Sequence, residues 1–187
     1  GYLRDILQRD MQSFLQEYKG DMILVTHSRD EAYKFCSQLT LLNCGRDILT
    51  GKTKEIFENP QYLEAAKLTG CKNFSAVQKM GPEEIYALDW GLMLRTSQAV
   101  TEDITHVGIR GHWMRSVEYD GDNTMEVQVA EYIESTFEHQ YLLKNKAEQE
   151  SAPLWWMCPK NDFQEIPQKC QPAYLYFPPE HLMLLKK

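Results

Sequence analysis

The chain has 187 residues, 43% of them hydrophobic and 25% charged, with a formal net charge of −7 and a pI near 5.3. This is an ordinary composition for globular domains, and the length suffices for one full domain or two small ones with real cores. The acidity argues against nucleic acid or an anionic membrane surface as a partner, since both select for clustered Lys and Arg; no run approaches the roughly 20 apolar residues of a membrane span, and no signal-peptide pattern opens the chain.

Leu3, Ile6, Leu7, Met11, Phe14, Leu15 and Tyr18 recur at helical spacing. They predict a helix over about residues 3–18 that ends at Gly20 and packs its apolar face on a sheet. Met22, Ile23, Leu24 and Val25 then form a continuous apolar run. That is the pattern of a strand buried on both faces of a mainly parallel sheet, whose other strands are expected before Gly1. Thr26 and His27 stand where this strand would end. Ser28 begins a helix as N-cap, with Glu31 three residues on to complete a capping box. Ligands of open α/β sheets bind at the carboxyl ends of strands, which gives His27 a functional position; a hydrogen-bonded structural histidine is the plainer alternative.

The helix over 29–37 is expected to turn Ala32, Tyr33, Phe35 and Cys36 to the core. Residues 39–44 and 47–51 read as two strands joined at Cys44-Gly45-Arg46, and a further helix is expected over 61–68, stopping at Gly70. Without neighbouring strands, this first segment should expose apolar surface, pair with another copy or be marginally stable.

From Cys71 helical periodicity gives way to short strand-like runs at 73–79, 84–88, 91–96, 105–110, 113–119, 124–133, 138–144, 154–157 and 173–177. Turn residues separate them, among them Met80-Gly81-Pro82, Asp120-Gly121-Asp122-Asn123 and Phe177-Pro178-Pro179. In 124–136 the apolar alternation holds and then slips, which predicts a bulge. The polar stretch 144–152 reads as a hairpin loop. Many short strands of this kind make a small barrel that closes its own edges. The fold class is therefore an α/β segment over residues 1–70 followed by a mainly antiparallel small barrel over 71–187, with the boundary near 69–73.

The five cysteines, Cys36, Cys44, Cys71, Cys158 and Cys170, lack C-x-x-C spacing and read as reduced, mostly buried thiols. Trp90, Trp113, Trp155 and Trp156 are interleaved with aliphatics and read as core and rim. His106 and His112 flank Arg110, but no third ligand nearby suggests a metal, and none is expected. Glu83-Glu84 and Asp120/Asp122 belong to turns. Lys72, Ser75 and Lys79 are the donors that could face a small anion.

The stretch VTHSRDEAYKFC, residues 25–36, resembles the switch-histidine segment of ABC-transporter ATPases, and the next elements fit the same family: a strand, a turn, DILTG as a returning strand, and then Thr53-Lys54-Glu55-Ile56-Phe57-Glu58-Asn59-Pro60. The resemblance covers about residues 2–70, with Tyr2-Leu3-Arg4 at the start of the helix just after the D-loop. It implies that His27 contacts the γ-phosphate of ATP. No G-x-x-x-x-G-K-[ST], no LSGGQ-like segment and no apolar strand ending in Asp-Glu occurs, so the residues that hold phosphates and Mg²⁺ are missing. The second half resembles the C-terminal regulatory (TOBE, OB-like) domain of importer ATPases: Thr105–Arg110 is similar to its G-I-R-P-E strand, with Gly111 and His112 in place of Pro-Glu, and 174–185 to its last strand and turn. Leu68–Asn73 resembles the junction in molybdate and sulfate importers, although no Ser-Ala-Arg-Asn motif is present.

The resemblance thus implies the C-terminal part of an importer's ATP-binding subunit, for an oxyanion such as molybdate or sulfate. It would carry the switch histidine and a regulatory or dimerisation domain. The intact protein would use ATP and Mg²⁺, form a homodimer, and bind membrane permease subunits from the cytoplasmic face; this chain alone should hydrolyse nothing. The alternative is a stand-alone small-ligand or dimerisation module in which His27 is purely structural.

Overall fold

The computed structural model describes residues 2–160 and 172–187 and divides into two compact units, Gly1–Glu58 and Asn59–Lys187. In the first, helix α1 (Tyr2–Glu17) follows the predicted periodicity. Its described apolar side chains remain open: Ile6, Met11 and Leu15 are half-buried, while Phe14 and Tyr18 are exposed and stack on each other at 5.8 Å. The side chains of Leu3 and Leu7 lie outside the described ones.

The expected buried strand at 22–26 is not there. These residues carry no regular structure, and Ile23 and Val25 are 94% and 92% exposed. A strand exists by pairing its N–H and C=O groups with a neighbour. No described strand lies beside this run, and apolar composition alone cannot supply one. The expected exposure of apolar surface is what results.

Helix α2 (Arg29–Phe35) stops two residues short of the predicted end; it buries Ala32 and sets Tyr33 edge-on to Phe57, with ring centroids 5.0 Å apart. Strands β1 (Gln38–Asn43) and β2 (Arg46–Lys52) form the predicted antiparallel hairpin. Its two-residue turn has both Cys44 (φ 50°) and Gly45 (φ 75°) in the left-handed region, the type I′ geometry that matches strand twist. Helix α3 (Thr53–Glu58) comes directly after it and buries Ile56.

The second unit begins with α4 (Leu63–Leu68) and continues as β3 (Asn73–Gly81), β4 (Glu84–Ala87), β5 (Leu92–Arg95), β6 (His106–Ile109), β7 (Arg115–Val117), β8 (Thr124–Glu134), β9 (Glu138–Asn145), β10 (Leu154–Pro159), β11 (Tyr174–Tyr176) and β12 (Met183–Leu185). Every predicted run has its strand, and β12 is an addition. All ladders between these described strands are antiparallel, with one isolated parallel bridge from Tyr62 to Lys186, so the mainly antiparallel β class holds. The described ladder divides into two five-stranded sheets, β10-β9-β8-β11-β7 and β12-β6-β3-β4-β5, where one closed ladder was expected. The predicted slip appears as a register shift between Val129 and Glu131. One core joins both sheets: Ile85, Leu94, Val107 and Ile109 from one meet Met125, Tyr141, Leu143, Trp156 and Leu175 from the other.

Three buried asparagines stitch this unit together. Asn73 Nδ2 donates to the carbonyls of Ile109 (3.1 Å) and Trp155 (2.9 Å), and its Oδ1 accepts from the Trp155 amide (2.7 Å). Asn123 accepts from the Arg95 amide and donates to the Arg95 and Phe177 carbonyls; Asn145 donates to the carbonyls of Trp90 and Gly91. Each amide supplies what a neighbouring strand would, which satisfies backbone groups where the ladder stops. Helix α4 packs here as well: Leu63 N donates to Lys186 O (2.9 Å), Ala65 and Ala66 are fully buried, and Arg110 Nη1 donates to Thr69 O (2.9 Å). The two compact units divide between Glu58 and Asn59.

Candidate functional site

Ser28 has the extended backbone of an N-cap (φ −89°, ψ 112°), and its Oγ accepts from the Glu31 amide at 3.4 Å, as the sequence predicts. The Glu31 carboxylate reaches further back than a capping box requires. Its Oε2 accepts from Thr26 Oγ1 at 2.6 Å, while that same hydroxyl oxygen accepts from the Ser28 amide at 2.9 Å. Asp30 and Glu31 place negative charge in the first turn, where the helix dipole favours it. His27 lies inside this network and is solvent-exposed. The Tyr33–Phe57 contact seats α2, which buries Ala32, against α3, and just beyond α2 the Ser37 carbonyl accepts from Thr53 N at 3.0 Å.

Gly51-Lys52-Thr53 has the residue types that end a phosphate-binding loop, but the fold uses them otherwise. Gly51 and Lys52 are extended partners of Leu39 and Gln38 in the hairpin, Lys52 Nζ pairs with Glu55 at 2.8 Å, and Thr53 is 1% exposed. Among the described residues of the first unit, His27 is the predicted nucleotide contact, and its side chain faces solvent.

In the second unit the sequence candidates serve packing. Trp90 and Trp156 are core residues, and Trp156 Nε1 donates to Met114 O at 3.1 Å. Trp113 is half-buried between the Arg110 guanidinium and the stacked His181 ring (centroids 4.8 Å apart); Trp155 is half-buried beneath Lys72 Nζ, 4.5 Å from its ring centre. The possible anion donors are engaged within the fold: Ser75 Oγ donates to Ala76 O and accepts from Asp89 N, Lys79 pairs with Glu102 at 2.8 Å, and Lys72 covers Trp155. His106 Nδ1 is 2.9 Å from Thr105 Oγ1, while His112 lies edge-on to Trp113. Burial, and then the charge of Arg110, push His112 below its ordinary value. Among the described residues no group of three or more His, Cys, Asp or Glu is placed to hold a metal. Glu84 and Asp122 both approach Arg95, at 3.5 and 2.9 Å, beside a groove of about 290 Å³.

Cys36, Cys44 and Cys71 are free thiols, and burial pushes the Cys71 thiol up to about 11, so it stays protonated. Cys170 lies outside the described residues. No described helix is long and apolar enough to cross a membrane.

No protein-family profile matches the chain. Over 138 residues it is 26% identical to the putrescine transport ATP-binding protein PotG of Escherichia coli, a stretch that covers 70% of this chain and 37% of that protein. It is 26% identical over 69 residues to the Fe(3+) ions import ATP-binding protein FbpC of Haemophilus influenzae, covering 37% of this chain and 20% of that one. The sulfate/thiosulfate import ATP-binding protein CysA 2 of Chromobacterium violaceum matches at 26% over 82 residues, 44% of this chain and 22% of the relative. The matches thus span well under half the length of these curated relatives. At the level they reach, the chain is homologous over part of its length to the ATP-binding subunits of ABC import systems.

Proposed function

We propose that this chain is the C-terminal portion of the ATP-binding subunit of an ABC importer, its first unit carrying the switch histidine and its second a small-barrel regulatory or dimerisation domain. One observation carries the reading. Thr26-His27-Ser28 is held at the head of α2 with the imidazole exposed, and the β1–β2 hairpin and the Glu55-Ile56-Phe57 helix come after it in the order that the resemblance requires. An exposed imidazole so placed can donate one hydrogen bond to a phosphate oxygen. The residues here do not by themselves make a site for Mg²⁺ and ATP: the chain has no phosphate loop, and Lys52 and Thr53 are committed to the hairpin and core. Phosphoryl transfer depends on positioning and charge stabilisation, so those parts must come from the rest of the subunit and from its partner in a homodimer, with permease subunits anchoring the assembly on the cytoplasmic face of the membrane.

The Leu68–Asn73 junction and the sulfate/thiosulfate relative support an oxyanion as the transported solute. The putrescine relative names a solute of opposite charge. Thermal unfolding of the chain against molybdate, tungstate, sulfate and putrescine separates them, since a ligand that binds only the folded state raises the midpoint as it saturates. The function itself is tested by ATP turnover in the complete subunit that carries this chain. His27→Ala should lower turnover about 100-fold while ATP still binds, the size seen when one transition-state donor is removed. Unchanged turnover would refute the phosphate contact and leave His27 purely structural.

A further inference from the structure

The bonds around His27 close a ring that capping alone does not need. An N-cap needs an oxygen for the free amides of the first turn, and Ser28 Oγ supplies it to Glu31 N. The Glu31 carboxylate, five residues beyond Thr26, satisfies no helix amide by accepting from Thr26 Oγ1. What it does is fix a rotor. The threonine hydroxyl has one hydrogen, which goes to the carboxylate in a charge-assisted bond, leaving its lone pairs for the Ser28 amide. Both bonds span His27: one ties the residue before it to the residue after it, and the other ties that pair to the first turn of α2. Thr26 and Glu31 are half-buried, while His27 is exposed. Backbone on either side of the imidazole is thus held by side chains, in a stretch that has no strand ladder to hold it.

We infer that Glu31, acting through the Thr26 hydroxyl, is a positioning residue that fixes the backbone bearing His27 and so aims the imidazole. This rests on the proposed role of His27 for its purpose, though not for its geometry, and the two are tested separately. The geometry is read by NMR on this chain, with the Ser28 amide exchange rate and the order of the His27 ring as observables. Glu31→Ala and Thr26→Val remove the ring bond; Glu31→Gln and Thr26→Ser keep an acceptor and a hydroxyl. The first pair should speed Ser28 exchange about tenfold, the loss of roughly one net hydrogen bond, and free the His27 ring. The second pair should retain wild-type behaviour. The Cys36 amide, which donates to Ala32 O at 3.1 Å, reports on the helix and should stay protected throughout. If Glu31→Ala melts α2, Thr26→Val, which lies outside the helix, decides the question. Four variants with the same Ser28 exchange and the same ring order would overturn the inference.

In the complete subunit, Glu31→Ala should lower kcat about tenfold with the KM for ATP unchanged, and Glu31→Gln should restore it. A kcat that is unchanged in Glu31→Ala although the ring is freed would overturn the aiming role. Turnover indifferent to His27→Ala, with the NMR result as expected, would refute the phosphate-contact reading and leave the positioning geometry standing.

Discussion

Asn73→Ala tests how the second unit is held together. The side chain is 2% exposed and makes three hydrogen bonds, two of them to the N–H and C=O of Trp155 on β10 and one to Ile109 O on β6. At about 1 kcal/mol net each, their loss costs roughly 3 kcal/mol, and more if the Trp155 groups stay dry. For a unit of this size that is a fall of about 10 °C in Tm. Asn73→Asp should be worse near neutral pH: a carboxylate can still accept from Trp155 N, but it cannot donate to the two carbonyls and buries a charge against them. Its deficit should shrink in acid, where a protonated carboxyl regains one donor. All four tryptophans lie in residues 59–187, so tryptophan fluorescence excited selectively over tyrosine tracks this unit in urea. A loss below about 1 kcal/mol with an unchanged m-value would refute the account of Asn73 as a clasp.

Further predictions concern backbone fit and pH. A Cβ at Gly111 would lie 2.6 Å from the Trp155 carbonyl oxygen, so Gly111→Ala should cost about 1–3 kcal/mol in urea unfolding, whereas Gly121→Ala, whose nearest contact is a Tyr119 ring carbon at 3.4 Å, should cost less than about 1 kcal/mol. Cys44→Asn suits the left-handed first position of the type I′ turn and should slow amide exchange in β1–β2 by the equivalent of about 0.5 kcal/mol; faster exchange would contradict the turn assignment. Burial first, then the Arg110 charge, keep His112 below its ordinary value of 6.5. The unfolded chain therefore takes up that proton more readily, so the unit's stability is undiminished above pH 6.5 and declines as pH falls through it. Glu138 opposes this shift and His181 adds to it; His112→Gln should flatten the slope in urea midpoints between pH 7 and about 5.

The strands of residues 73–177 were legible because their alternation against a shared core is a local property of sequence, and even the slip near Ala130 announced its bulge. The run Met22–Val25 was misleading for the opposite reason: a buried-strand pattern presumes neighbours that sequence does not exhibit. Strand β12 shows no alternation, since Met183, Leu184 and Leu185 are all apolar. Asn73, Asn123 and Asn145 read as ordinary turn or strand-end residues, since their partners are backbone groups 28 to 82 positions away that only the fold brings near. Around His27 the cap at Ser28 was readable from its three-residue spacing to Glu31, but the Thr26–Glu31 bond was not, because it depends on side-chain rotamers of the unpaired segment. The packing of helix α4, with two fully buried alanines and a bond from Leu63 N to Lys186 O, depends on a partner more than 100 positions away that no local pattern announces.

The central claim is that these residues complete an ATP-binding subunit. The most direct measurement is the intact mass and peptide map of the native polypeptide that carries them. The account predicts a longer polypeptide with a G-x-x-x-x-G-K-[ST] loop upstream of Tyr2. A native polypeptide that begins near Tyr2 would contradict it.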